Sequence, residues 1–247
     1  MKNFVHHLRR MLHLDEARCP ACNEGFTPAG QDQYLCEDCL QKLPIRSSGF
    51  CPQCGVPYAL SSMPVAPCSA CLTTPPVWSS LRFYGVYEDL LRELIIRYKH
   101  APDITLSGVT GHLLQKAVQN RPFDEDCCPE VIVPVPLHPQ RLHMRGFNQS
   151  QLPARLLASS MGIPLCLDAL HRTRNTTAQT GLPRNERRRN LQDAFKATYK
   201  VEGKKVLLID DVMTSGTTVE QCSLALLAAG ASQVHVLVAA RTPAHSD

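Results

Sequence analysis

Val206-Leu207-Leu208-Ile209-Asp210-Asp211-Val212-Met213-Thr214-Ser215-Gly216-Thr217-Thr218 is the stretch that decides the fold. Four consecutive apolar residues predict a strand buried on both faces, as in a parallel sheet. Two adjacent carboxylates stand where that strand is expected to end. A Thr/Ser/Gly loop follows, and Val219 to Ala229 patterns as a helix. In open α/β sheets, ligands bind just beyond the carboxyl ends of the strands. Hydroxyls, a glycine that admits close approach, and N–H groups at a helix start suit a phosphate. Two carboxylates beside such a cradle suit a ribose diol, or a Mg²⁺ shared with the ligand. Together these residues predict a ribose-5-phosphate site.

The stretch lacks the G-x-x-x-x-G-K-[ST] of a Walker A loop and the G-x-G-x-x-G of a dinucleotide turn. It closely resembles the PRPP-binding motif of type I phosphoribosyltransferases. That resemblance implies a catalytic pair, Asp210 and Asp211, at the ribose hydroxyls. It also implies a PRPP-binding segment that continues through Val212, with Met213, Thr214, Ser215, Gly216, Thr217 and Thr218 around the 5′-phosphate.

Before this motif lies a basic block. Residues 131–205 hold thirteen Lys/Arg against four Asp/Glu, within a chain of net charge +4. Such a field attracts polyanions, whether PRPP, pyrophosphate or nucleic acid, without choosing among them. Val131-Ile132-Val133-Pro134-Val135-Pro136 reads as a second buried strand whose end is fixed by prolines. His138, Arg141 and Arg145 follow it in an expected loop, suited to pyrophosphate because guanidinium pairs with phosphate oxygens bidentately. A helix from about Ser150 to Ser160 and a strand near Leu165 to Leu167 come next. The polar, basic segment from Arg172 and Arg174 through Arg184 to Asn190 resembles the mobile loop with which phosphoribosyltransferases close over the transition state. Its Arg187-Arg188-Arg189 run suits a nucleic-acid backbone equally well.

Eight of the twelve cysteines fall in four C-x-x-C pairs: Cys19/Cys22, Cys36/Cys39, Cys51/Cys54 and Cys68/Cys71. Each pair can give two thiolates to one tetrahedral metal, so four pairs predict two Cys₄ zinc sites. Consecutive pairing is expected, and interleaved pairing fits the spacing too. Full thiolate ligation leaves no open position, so these sites are structural in expectation. Too little apolar content surrounds them for the segment to fold unaided. The expected division is a double zinc ribbon over 15–76 and a phosphoribosyltransferase-like unit over 79–247, joined at Thr73-Thr74-Pro75-Pro76.

Between these parts, Leu81 to Tyr87 reads as a strand. Asp89 to Lys99 and Leu106 to Gln119 read as helices, and Tyr98-Lys99 as a solvated helix end rather than as a pair that reaches a phosphate. Val234 to Ala240 makes another buried strand. Only seven residues follow it, so a hood over the acceptor is expected from 79–130 or from the cysteine-rich segment. No apolar run nears the ~20 residues that span a bilayer, and residues 1–18 pattern as a weak amphipathic helix rather than a signal peptide. A cytoplasmic protein without membrane insertion is expected.

The order of these features resembles the ComF family, including its GntX group. The motifs that carry the resemblance are Cys51-Pro52-Gln53-Cys54-Gly55, Pro134-Val135-Pro136-Leu137, Arg145-Gly146-Phe147-Asn148-Gln149, Arg172-Thr173-Arg174-Asn175-Thr176, Gln179, Arg184, Asn190 and residues 206–218. It implies an α/β, type I phosphoribosyltransferase fold behind a double zinc ribbon, with PRPP and Mg²⁺ as ligands. It also implies a link to natural transformation, the handling of imported single-stranded DNA, or gluconate utilisation. Glutamine-dependent amidotransfer, which needs an N-terminal cysteine nucleophile, is not expected, because the first cysteine is Cys19. Three readings follow: a phosphoribosyltransferase in DNA uptake or nucleotide salvage, a single-stranded-DNA scaffold, and a structural adaptor. Phe147, Phe195 and Tyr199 are the only aromatics in the basic block, few for a base-stacking platform.

Overall fold

The computed structural model describes residues 16–30, 33–100, 104–174, 191 and 193–243. Four parallel strands make the central sheet: β3 (Ser80–Val86), β4 (Val131–Pro134), β7 (Lys205–Met213) and β8 (Gln233–Arg241), in the order β3-β8-β7-β4. The strand quoted first is therefore interior, with Ile209 beside Leu237 on one side and Pro134 on the other. Val206, Leu207, Leu208 and Ile209 are fully buried, as a two-faced strand requires.

Alternation along the strands sorts these residues into two apolar layers. Leu207, Ile209 and Leu237 pack with Leu94 and Ile95 of α3 (Asp89–His100), Leu113 and Leu114 of α4 (Ile104–Asn120), and Leu157 of α6 (Gln151–Met161). Val206, Leu208 and Val236 pack with Val219 and Leu226 of α7 (Thr217–Ala228). Leu170 and Phe195 join this second layer from an antiparallel ribbon of β5 (Leu170–Arg172) and β6 (Phe195–Ala197).

The structure differs from the sequence reading in four places. β7 runs to Met213, so Asp210 and Asp211 lie inside the strand; β8 continues alongside and pairs Val212 with Ala240 and Met213 with Arg241. The expected Arg-bearing loop is helix α5 (Pro139–Arg145). Pro139 opens it with a preset φ, His138 Nδ1 accepts the Gln140 N–H at 3.3 Å, and Gly146 ends it at φ +79°. The strand expected at Leu165 to Leu167 is a single bridge from Leu165 to Ile132. The β5–β6 ribbon was not foreseen, since three-residue strands carry no readable alternation. Residues 175–190, with the expected closing loop, Gln179, Arg184, Arg187, Arg188, Arg189 and Asn190, lie outside the described residues, as does most of the expected N-terminal helix.

The cysteine-rich segment is a twofold repeat. The first copy holds the hairpin β1 (Ala17–Arg18) and β2 (Gly25–Phe26) and helix α1 (Glu37–Gln41); the second holds α2 (Ser69–Thr73). Cys36 and Cys68 are the N-caps of α1 and α2 in nearly the same conformation, φ −66°, ψ 161° and φ −78°, ψ 162°. The first copy sits on the helices, where Tyr34 occupies the space left by Gly108, whose Cβ would lie 2.4 Å from the ring.

Candidate functional site

Asp210 and Asp211 are adjacent on an extended strand, so their side chains leave opposite faces of the sheet. Asp210 accepts the Ser150 hydroxyl at 3.0 Å and the Asp211 N–H at 2.9 Å through Oδ1. Asp211 faces the helical layer, where its Oδ2 lies 3.1 Å from Lys99 Nζ. The two carboxylates thus stand on opposite faces of β7, three and two residues before its last residue, Met213. A vicinal diol offers one hydroxyl to each, whereas one directly chelated ion would need both to converge. Burial, then repulsion from Asp211, pushes Asp210 up to about 7.

Lys99 is the residue that the sequence reading set aside as a solvated helix end. Burial alone would pull its ammonium down, but the Asp211 carboxylate outweighs that and holds it above the ordinary lysine value. A lysine raised in the folded state stabilises that state at every pH below the lysine range and loses the effect only above it. Lys99→Met would strand a nearly buried carboxylate. At neutral pH it is expected to cost about 3 kcal/mol, a melting-temperature fall of roughly 6–12 °C at this chain length. Adding Asp211→Asn should recover part of it. Calorimetry of the two variants checks this, and an unchanged melting temperature in Lys99→Met would show that the pair contributes nothing.

Ser150 is positioned by the Arg145-to-Gln149 motif. Asn148 Nδ2 donates to the Val135 carbonyl and its Oδ1 accepts the Ser150 N–H, each at 3.0 Å, which carries the Ser150 hydroxyl to Asp210. Phe147 packs on Tyr98 with centroids 5.3 Å apart. Arg145, expected at pyrophosphate, donates instead to Gln149 Oε1 at 2.7 Å. Arg172 is buried on β5 with its guanidinium 5.5 Å from the Phe195 ring. Burial, then repulsion from Arg141, lowers it, and Asp210 opposes that fall. Arg172 therefore lies near Asp210, with Arg141 close enough to repel it. Arg174 is exposed at the end of β5, and Arg184 lies outside the described residues.

The loop between β7 and α7 is a short turn. Gly216 caps α7 at φ +82°, a left-handed conformation that favours glycine, and Met213 Cε lies 2.7 Å from where a Cβ would stand. Ser215 Oγ lies 2.9 Å from Thr217 Oγ1 and accepts the Thr217 N–H at 3.4 Å. Thr214 is exposed, while Met213 and Thr217 are buried beneath it. Hydroxyls and helix-start amides are thus gathered within seven residues of Asp211 in the chain. Arg241 and Trp78, to which no role was given from sequence, brace this loop from behind.

The cysteines gather as consecutive pairs: Cys19, Cys22, Cys36 and Cys39 in one cluster, and Cys51, Cys54, Cys68 and Cys71 in the other, with all sulfurs of a cluster within 4.8 Å of one another. Cys22 and Cys36 Sγ lie 3.7 Å apart and Cys54 and Cys68 Sγ 3.8 Å. Four thiolates at about 2.3 Å from one zinc have tetrahedral edges of about 3.8 Å, while a disulfide needs about 2.05 Å. The Cys36 N–H points at Cys19 Sγ (3.5 Å) and the Cys68 N–H at Cys51 Sγ (3.4 Å), as donors do toward bound thiolates. Both clusters fit a tetrahedral metal. No helix among the described residues is long and apolar enough to cross a membrane.

Two family models match the chain in two parts. A double zinc ribbon domain model matches residues 16–72 and a phosphoribosyl transferase domain model matches residues 148–246. The DNA utilization protein YhgH of Salmonella typhimurium is 35% identical over 209 residues, 84% of this chain and 90% of that protein. Competence protein F of Haemophilus influenzae is 31% identical over 235 residues, 94% and 100% of the two chains. Competence protein ComFC of Bacillus subtilis is 26% identical over 213 residues, 81% and 80% of the two.

Proposed function

Since the chain belongs to the ComF/YhgH family, which joins a double zinc ribbon to a phosphoribosyltransferase domain, we propose that it binds PRPP with Mg²⁺, or a related ribose-5-phosphate, at residues 210–218. The observation that carries this reading is the pair Asp210 and Asp211 on opposite faces of β7, followed five residues after Asp211 by the Gly216 cap of a helix start. Asp210 and Asp211 take the ribose hydroxyls. The loop from Met213 to Thr218 takes the 5′-phosphate with its amides and hydroxyls. Arg141 and Arg172 stand nearest for the pyrophosphate, with Arg174 and Arg184 on the connection that follows β5. Arg145 holds Gln149 and acts by placing Ser150.

Asp210 and Asp211, on opposite faces of the strand, would hold Mg²⁺ by way of the bound ligand rather than as a direct chelating pair, and the ion would supply positive charge to the leaving pyrophosphate. Should transfer occur, the chain's contribution is to orient the ribose carbon for attack and to stabilise developing charge with the arginines. Zinc at each cysteine cluster has a structural role. Similarity to proteins named for DNA utilization and competence supports a role in DNA uptake, and nucleotide salvage is the other setting proposed for a ribose-5-phosphate site.

Calorimetry of the zinc-loaded chain with PRPP and Mg²⁺, at two salt concentrations, tests the reading. Saturable binding of one ligand per chain is expected, weakening modestly with salt. Absence of binding in a folded sample overturns it. Tight single-stranded DNA binding with a steep salt slope in that same sample would instead favour the DNA-scaffold function.

A further inference from the structure

The knuckle of the second cysteine cluster is bonded to the sheet through two consecutive carbonyls. Gln53 O accepts the Trp78 Nε1–H at 2.8 Å, and Cys54 O accepts the Arg241 Nε–H at 3.0 Å. The same guanidinium, on a residue only 7% exposed, turns Nη1 onto the carbonyls of Met213 (3.2 Å), Thr214 and Thr242 (2.9 Å). One planar group therefore touches a metal ligand's own backbone on one edge and the start of the 213–218 loop on the other.

We infer that Arg241 is a positioning residue tying the second cysteine cluster to the phosphate loop, so that metal occupancy at Cys51, Cys54, Cys68 and Cys71 sets ligand affinity at residues 213–218. This rests on the reading of that loop as a phosphate site.

Peptide geometry explains how the brace would act. Every described peptide is trans, so each C=O and the N–H that follows it point in opposite directions. Holding the carbonyls of Met213 and Thr214 against Arg241 aims the amides of Thr214 and Ser215 away from it, toward the outer side of the turn. Trp78 closes the same wall: its Cη2 lies 3.5 Å from where a Gly216 Cβ would stand. The knuckle rests on the sheet with no compliant layer between them. Gly55 (φ +70°) has no room for a Cβ, which would lie 2.5 Å from Leu81 Cδ2 and 3.3 Å from Phe83 Cδ1. Within the knuckle, Gly55 N–H bonds to Cys51 O at 2.8 Å and Cys51 N–H to Val56 O at 3.0 Å. The sulfurs of Cys51 and Cys54 thus fix the carbonyls that Arg241 and Trp78 grip. A lysine cannot replace this fork, because an ammonium lacks the second edge.

The test uses the full zinc-loaded chain and three variants: Arg241→Lys, Trp78→Phe and Cys68→Ser. Hydrogen exchange is read at Thr242 and Glu220, whose amides bond to Met213 O (3.1 Å) and Gly216 O (2.8 Å). All three variants are expected to exchange at least about tenfold faster there, within the usual range of coupling between sites. Arg241→Lys and Trp78→Phe should keep two zincs, and Cys68→Ser should keep one. Affinity for Mg²⁺–PRPP should fall about tenfold in parallel. Unchanged exchange in Cys68→Ser, or in whichever of the other two variants folds, overturns the brace. Faster exchange with unchanged affinity overturns the coupling. A parent chain that does not bind Mg²⁺–PRPP at all defeats the functional reading instead, and exchange still judges the brace.

Discussion

Replacing Asp210 and Asp211 together by asparagine is expected to abolish Mg²⁺–PRPP binding in a chain that still folds, and Asp210→Asn alone should melt higher than the parent near about pH 8. The two halves of this expectation share one cause. Asp210 is buried beside a second carboxylate and titrates at about 7 rather than in the ordinary carboxylate range. An acid whose folded value is raised takes up a proton in the folded state before it does in the unfolded one. Stability therefore falls as pH rises from about 4 to about 7, and the cost stays constant above that. Asparagine removes the charge but keeps an Oδ1 for the Ser150 hydroxyl and the Asp211 amide. A ligand that needs the ionised carboxylate should weaken about tenfold per pH unit below about 7. Binding isotherms and melting curves across pH 5.5–8.5 (about that span suffices) separate the effects. A double variant that binds as tightly as the parent removes the ribose assignment. An Asp210→Asn variant that melts lower near pH 8 removes the account of a strained site held for function.

What the sequence made legible, and what it did not, follows the distance over which the information is carried. The run Val206 to Ile209 announced an interior strand because burial on both faces leaves a purely local signature. The four C-x-x-C pairs announced metal clusters for the same reason, although their pairing waited for the structure. Lys99 carried no such sign. Its partner Asp211 is 112 positions away, and the end of an amphipathic helix looks the same whether it meets water or a carboxylate. Arg241 is more remote still, 187 positions from Cys54, and a lone arginine after a buried strand reads as a strand terminus. The Arg145-to-Gln149 motif was read by its charge, and the fold uses Asn148 to place Ser150 and Gln149 to hold Arg145. Short strands such as Leu170–Arg172 and Phe195–Ala197 form only because the second apolar layer needs a cover beside α7.

Metal removal is the other large effect. The cysteine-rich segment has two-residue strands, five-residue helices and few large buried side chains beyond Leu35, Leu43 and Phe50. Burying such side chains stabilises by about 1.5–3 kcal/mol each, while ordering the backbone of each residue costs about 1–2 kcal/mol. Across fifty-odd residues the balance is unfavourable without the clusters. Structural zinc contributes about 10–16 kcal/mol per site, a binding free energy that only the folded segment can collect. Burial also raises the thiols of Cys39 and Cys71, so an empty cluster stays crowded and uncompensated. The chain is expected to carry two zincs, to release both to a strong chelator, and then to be cut by protease between residues 16 and 72. Cys19→Ser and Cys51→Ser should each retain one zinc. All twelve cysteines should react with a thiol reagent in denaturant with chelator and no reductant. A lower thiol count would mean disulfides, and a metal-free chain that resists protease over 16–72 would mean that the segment folds by packing alone. The same segment supplies the Tyr34 contact to α4 and the Cys54 contact to Arg241, so its loss should also lower the melting temperature of the sheet, and a sheet that melts unchanged would show the segment to be a passenger.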